Sequence, residues 1–314
     1  MNTTSDLSQS ADIPPEMFDP LPKEEKEIAE KNMRKSRTYW QDAWLRFRKN
    51  KLAIAGVIIL SIIVLAAIFG PMLSPYSYEQ QDLSNGGQWP SKAHWFGTDK
   101  FGRDIFVRCL YGARISLSIG FAAAAINMVI GVIYGGVAGY FGGIIDMIMM
   151  NICDILYSLP QMCYVIIIML FFGNTVRSVL IAICVIYWIK TARVVRSEVM
   201  RLKNEEFVLA ARVVGEPTSR IIRKHMIPNC IGSIIVSVTF LIPEAIFLEA
   251  FLSFLGIGIS VPMASWGTLA NDALPSLLTR FYQLFFPAMC ISLTMFALNF
   301  IGDGLRDALD PRMK

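Results

Sequence analysis

Charge is scarce in this chain. Lys, Arg, Asp and Glu make up 17% of its 314 residues, against roughly a quarter in a soluble domain. Histidine is rarer still, with only His94 and His225. Neither belongs to an H-E-x-x-H, and no G-x-S-x-G occurs, so a metalloprotease or serine hydrolase site has nothing to build on. There is no Gly-Lys dipeptide and hence no P-loop, so the chain holds no ATP site of that kind. Ser84-Asn85-Gly86-Gly87-Gln88 reads as a Gly-rich turn. The six cysteines form no C-x-x-C pair and fall mostly inside apolar runs. They are expected as small packing residues, not as a disulfide framework or zinc site. No basic stripe is interleaved with aromatics, so nucleic acid is not an expected partner. The first 50 residues are polar and lack the apolar core of a signal peptide.

What the chain has in excess is apolar length. Hydrophobic residues make up 54%, and mean hydropathy is +0.49. Leu52–Leu73, Ile115–Tyr140 and Leu284–Ile301 contain no charged residue. Each is near the roughly 20 residues that cross a bilayer core. In lipid every backbone N–H and C=O must be paired internally, so such runs are helices. The fold class expected is all-α, a polytopic membrane protein with about six spans: 52–73, 113–139, 145–172, 175–191, 229–254 and 282–303. Pro160 and Pro243 are expected to kink their helices. Gly120, Gly131, Gly135, Gly136 and Gly139, beside Ala122–Ala125, give the second span a close-packing face.

Basic residues orient the spans. With both termini inside, ten Lys and Arg lie in 23–51, nine in 190–224 and three in the C-terminal tail, leaving seven outside. The expected order is a polar cytoplasmic tail, 1–38, then a segment at the membrane surface, 39–51, mixing Trp40, Trp44 and Phe47 with four cations. That segment reads equally well as an amphipathic helix or as the basic flank of the first span. The first span, 52–73, and an extracytoplasmic segment, 74–112, precede a core, 113–305. This core holds an inner loop, 192–228, and a cytoplasmic tail, 306–314, ends the chain.

Within the inner loop, acids at Glu205 and Glu206 open a helix where the dipole favours them. Gly215 suits its end, Pro217 suits the first turn of a second helix, and Pro228 is expected to end that helix. The product is helix, bend, helix at the membrane face. Asp154, Glu244 and Glu249 fall inside apolar runs. A charge at the bilayer centre costs about 2.5–3.5 kcal/mol on insertion scales, so these three face a water-filled path, a partner subunit, or a packing partner within the bundle.

The inner loop resembles the EAA loop of ATP-binding-cassette importer permeases, E-A-A-x3-G-x9-I-x-L-P. Ala210, Ala211, Gly215, Ile227 and Pro228 fit, while Leu209 replaces Glu and His225 replaces Ile, as in the peptide-permease branch. His94 to Asp104, with Gly97, Thr98, Asp99, Gly102, Arg103 and Asp104, resembles the H-x-F-G-T-D-x-x-G-R-D segment of the C-type permease of oligopeptide, dipeptide and nickel importers. Tyr111–Arg114, Gly139–Asp146, Glu249–Gly258 and Ser265–Gly267 fit further motifs, so the resemblance runs from about residue 40 to Pro311.

The resemblance implies a type I importer (MetI-like) fold in the cell membrane of a prokaryote. It implies a non-catalytic permease without cofactor or metal. A sister permease would share the path, two ATPase subunits would dock below, and an extracytoplasmic solute-binding protein would deliver peptide, with membrane lipid around the whole. Glu206, Ala210, Ala211, Gly215, His225, Ile227 and Pro228 would then belong to the ATPase-coupling loop, and access would alternate. An ion-driven secondary transporter, which needs a coupling site and usually internal repeats, is the competing reading. Arg103 and Asp104 are near enough in sequence to pair, and an exposed pair would contribute little.

Overall fold

Eleven main helices account for most of the residues that the computed structural model describes, 38–260 and 262–309. They are α1 (Tyr39–Lys49), α2 (Lys51–Leu73), α3 (Ile105–Phe141), α4 (Gly143–Ser158), α5 (Gln161–Phe172), α6 (Val176–Cys184), α7 (Trp188–Leu202), α8 (Glu206–Val213), α9 (Ile227–Phe254), α10 (Trp266–Ala273) and α11 (Tyr282–Leu309). No strand is present among the described residues. The tail expected over 1–38 lies outside them except for Thr38, as do the last five residues of the tail expected over 306–314. One unit ends at Asp42 and a second begins at Ala43. The second holds everything discussed below.

Among the described residues, five helical stretches are long and apolar enough to cross a membrane: α2, α3, α6 with α7, Thr218–Phe254, and α11. The pair α4 and α5 brings the number to six if it is one span, but it bends by 82°. The kink expected at Pro160 is therefore a break. Leu159 is driven to an extended conformation (ψ 138°) by the proline that follows, and Pro160 then caps α5. Pro243, by contrast, sits inside an unbroken α9.

Three boundaries differ from expectation for clear reasons. The second span starts at Ile105, where the Asp104 carboxylate accepts from the Val107 N–H and caps the helix. The fourth runs on to Leu202, because residues 188–202 carry a buried apolar face, Ile189, Ala192, Val195 and Val199, beneath their charges. The loop expected over 192–228 therefore begins only near Lys203. The fifth span begins at Thr218, so Pro228 does not end a helix. A π turn over Ile221–Met226 leads directly into α9. Pro228 has no N–H to donate, and the wider turn absorbs that loss. The Asn229 side chain donates to the His225 carbonyl at 2.6 Å.

The core runs along α3 and α9, which pack with α6 in one buried cluster and with α7 and α8 in another. The small-residue face of α3 packs within the chain. A Cβ at Gly135 would lie 2.2 Å from the Ala192 carbonyl oxygen, and one at Gly131 2.6 Å from Thr191. Only glycine lets α7 come this close. Arg196 of α7 forms a two-pronged pair with Asp146 of α4, and Arg114 of α3 donates to the Ala67 and Ile68 carbonyls of α2 at 2.5 and 2.6 Å.

Candidate functional site: an inner loop, a polar cavity and an outer charge cluster

The inner loop is a helix, a sharp turn and a second helix, as the residue pattern implies. Val208 is fully buried among Val195, Val199, Leu202, Ile221 and Met226 and anchors α8. Ala211 packs against the same cluster, while Glu206 and Ala210 are exposed. Gly215 adopts φ +81°, and its N–H donates to the Arg212 carbonyl (2.9 Å) while that of Glu216 donates to Ala211 (3.1 Å). This is the Schellman closure of a helix end, which favours glycine at the left-handed position. The tip just before it is apolar and open to solvent, with Val213 88% and Val214 81% exposed. His225 Nε2 lies 2.7 Å from Glu216 Oε2, so the second helix is tied to the residue after the turn. Ile227 is half-buried and Pro228 exposed at the start of α9.

The three intramembrane acids separate into two kinds. Glu249 is 0% exposed and accepts from the hydroxyls of Ser116 (2.7 Å) and Ser253 (2.9 Å). It holds α3 to α9 and is a packing group. Asp154 and Glu244 remain open and are met by cations of α7: Arg193 donates to Asp154 at 2.7 Å and Lys190 to Glu244 at 2.6 Å. Lys190 and Glu244, each with over two-fifths of its side chain exposed, face a cavity of about 730 Å³ between α7, α9 and the end of α11. Glu198, Arg201, Ser233 and Arg306 face the same space.

The outer motif is far from an exposed surface pair. Asp99 receives Arg103 Nε and Arg108 Nη1, both at 2.6 Å, and both arginines reach on to Asp272. Arg108 is 1% exposed. Arg103 therefore does not pair with Asp104, which caps α3 and sits 2.7 Å from His94 Nδ1. Thr98 bonds back to Asn85 and Gln88, and its carbonyl accepts from Gln283 of α11 at 2.9 Å. Gly97 and Gly102 both have positive φ. A Cβ at Gly102 would fall 1.7 Å from the Asp82 carbonyl oxygen. Hydrogen bonds from the Ser84 hydroxyl and N–H hold the Asp82 carboxyl below the usual carboxylate range. Trp266 Nε1 donates to the Cys109 carbonyl at 3.0 Å, which seats α10 on α3. Sequence reasoning missed Arg108 and Asp272. Arg108 could have been found, since it stands four residues after the cap Asp104, one turn into α3.

Among the described residues no group of three His, Cys, Asp or Glu side chains could hold a metal. The two histidines are in separate clusters, so no nucleophile, base and orienting group converge. What the geometry offers is a polar cavity in an apolar bundle and an exposed loop tip. Residues 127–314 match the family described as binding-protein-dependent transport system inner membrane component. The chain belongs to that family. Residues 38–90 match the N-terminal transmembrane domain of oligopeptide transport permease C.

Two relatives from Bacillus subtilis (strain 168) are each 51% identical. One is named oligopeptide transport system permease protein OppC, aligned over 96% of this chain and 99% of its own length. The other is named dipeptide transport system permease protein DppC, aligned over 98% and 96%. A glutathione transport system permease protein, GsiD, from Escherichia coli O6:K15:H31 is 38% identical over 88% of this chain and 92% of its own. A solved chain of the MetNI methionine ABC transporter, in inward-facing conformations, superposes with a TM-score of 0.51. It is 16% identical and covers 66% of this chain and 96% of its own, a likeness of fold. The family is that of permease components of importers, which work with separate ATPase and binding-protein subunits. The chain is thus a multi-pass membrane permease and not an enzyme, and the ion-driven alternative falls away.

Proposed function

We propose that this permease carries peptides, oligopeptides or dipeptides, along a path shared with one sister permease, above two ATPase subunits. Access alternates between outward- and inward-facing states as ATP is hydrolysed elsewhere in the complex. Both termini lie in the cytoplasm, in keeping with the excess of Lys and Arg in 23–51, 190–224 and the tail. The inner loop, centred on Glu206–Pro228, is the docking element for an ATPase. The observation that carries this is its tip. Val213 and Val214 stand almost fully exposed on a helix whose other face is anchored through Val208. Apolar side chains held out on a polar-flanked turn fit a groove on a partner.

The outer segment, 74–112, serves as a structural cap and the meeting place of the binding protein. The names of the Bacillus relatives support the peptide cargo. Purification of a tagged chain from native membranes in mild detergent, with mass spectrometry of what accompanies it, tests the assembly. A sister permease, ATPase subunits and a binding protein are expected together, and the binding protein's own ligand identifies the cargo. Recovery of the chain alone or as a homo-oligomer would refute the reading.

A further inference from the structure

The polar cavity has a direction. Its wall on α9 runs from Gly232 to Glu244, 13 residues and so about 18 Å of helix. An extended peptide rises about 3.3–3.6 Å per residue, so the wall matches roughly five residues. A volume of about 730 Å³ lies within the range of ordinary ligand sites, about 300–1,000 Å³. The charges are not distributed evenly along it. At the Glu244 end, Lys190 occupies one carboxylate oxygen, Oε2. A carboxylate has about four acceptor positions, so Glu244 can still take a second cation. At the Ser233 end, Arg201 pairs with Glu198 at 3.0 Å, and Glu198 also accepts from Ser233 at 2.8 Å. Arg306 lines the same cavity, is exposed and has no acidic partner among the described residues. Among the charged residues that line the cavity, Lys190 pairs with Glu244 and Arg201 with Glu198, which leaves Arg306 as the one cation over, while Glu244 offers an open acceptor. Side chains so charged do not face lipid.

We propose that this cavity is a transit site for an extended peptide with free ends, its carboxylate at Arg306 and its ammonium at Glu244. The inference rests on the peptide-permease reading and adds where along the path, and in which direction, the peptide lies. The path then presents a weak, two-ended match to the zwitterion common to all unmodified short peptides. Such a match is indifferent to side chains and suits a permease that must release what it admits.

The test uses the whole transporter with its binding protein in proteoliposomes and three probes: tetra-alanine with free ends, its C-terminal amide, and its N-acetyl form. Arg306→Gln is expected to lower uptake of free tetra-alanine about five- to tenfold, the loss of one solvent-screened, charge-assisted hydrogen bond. It should leave uptake of the amide unchanged relative to the unsubstituted transporter. Arg306→Lys should restore most of the loss, which separates charge from folding. Glu244→Gln should discriminate in the same way between the free and N-acetyl forms.

A second measurement needs no turnover. In a Cys163→Ser background, which removes the exposed thiol, Ser237→Cys should react with a charged thiol reagent. Millimolar free tetra-alanine should slow that reaction, and the amide should slow it less. Equal loss of all three probes in Arg306→Gln, or no protection of Ser237→Cys, overturns the site while leaving the peptide reading standing. Failure of the unsubstituted transporter to take up any of the probes overturns the peptide reading and this site with it.

Discussion

Valine in place of Gly215 would meet no neighbour, because a Cβ there has nothing within 4 Å. The cost comes from the backbone. Gly215 holds φ +81°, and a residue with a Cβ in the left-handed region loses about 1–2 kcal/mol, with β-branched residues at the upper end. The alternative is to leave that region and release the hydrogen bonds of Gly215 and Glu216 to Arg212 and Ala211. About 2 kcal/mol would shift the balance between closed and open turns roughly 30-fold. Asparagine tolerates this region and should cost a few tenths of a kcal/mol. The expected order of activity is therefore Gly ≈ Asn > Ala > Val. It would be read as ATP hydrolysis stimulated by loaded binding protein in the reconstituted complex, and as peptide moved per ATP. Yield and insertion should not change, since the turn lies outside the buried core. If Gly215→Asn is as damaging as Gly215→Val, the backbone argument is wrong. If Gly215→Val couples normally, the loop is not the ATPase contact.

Asp99→Asn leaves Arg103 and Arg108 buried with Asp272 alone. Breaking a buried pair costs about 3–5 kcal/mol, so thermal unfolding of the detergent-solubilised complex should begin markedly earlier, whereas Arg103→Lys should be milder. Gly102→Ala drives a methyl into the Asp82 carbonyl at a positive φ, and a fall in monodisperse yield on gel filtration is expected. Glu249→Leu strands the hydroxyls of Ser116 and Ser253, at about 1–3 kcal/mol for each left without a partner. Glu249→Gln keeps an acceptor and should retain most of the stability. Equal yields of the two variants would remove Glu249 from its packing role.

The sequence made the helical fold legible because lipid leaves so few alternatives. Runs such as Leu52–Leu73 have no other way to satisfy their backbone. Gly215 and Pro217 were legible as a turn for a similar reason, since each residue type has one strong local use. What stayed hidden was long-range pairing. Nothing local connects Arg108 to Asp272, or Lys190 to Glu244, and adjacency in sequence offered Arg103 only its neighbour Asp104. The apolar setting of Glu244 did mark it as needing a cation or water, but not which. The π turn at 221–226 was also hidden, because Pro228 reads locally as a stop. Tertiary packing of Ile221 and Met226 helps hold the helix together across it.

That continuity links the loop to the cavity. From Thr218 to Phe254 the chain is one helical rod. Its start is tied to the turn through His225 and Glu216, its middle forms the cavity wall from Gly232 to Glu244, and its far end is fixed to α3 through Glu249 and Ser116. The two ends are held differently. The far end is bonded within a dry core, whereas α8 is anchored mainly by one buried side chain, Val208. A force applied at Val213 and Val214 therefore has little to resist it locally and a stiff element to act on. Displacing the start of the rod about its fixed end moves the wall carrying Ser233 most and Glu244 least. If the loop is the ATPase contact proposed above, the Ser233 end of the cavity is the part that such a displacement would open or narrow, with the Lys190–Glu244 end moving least.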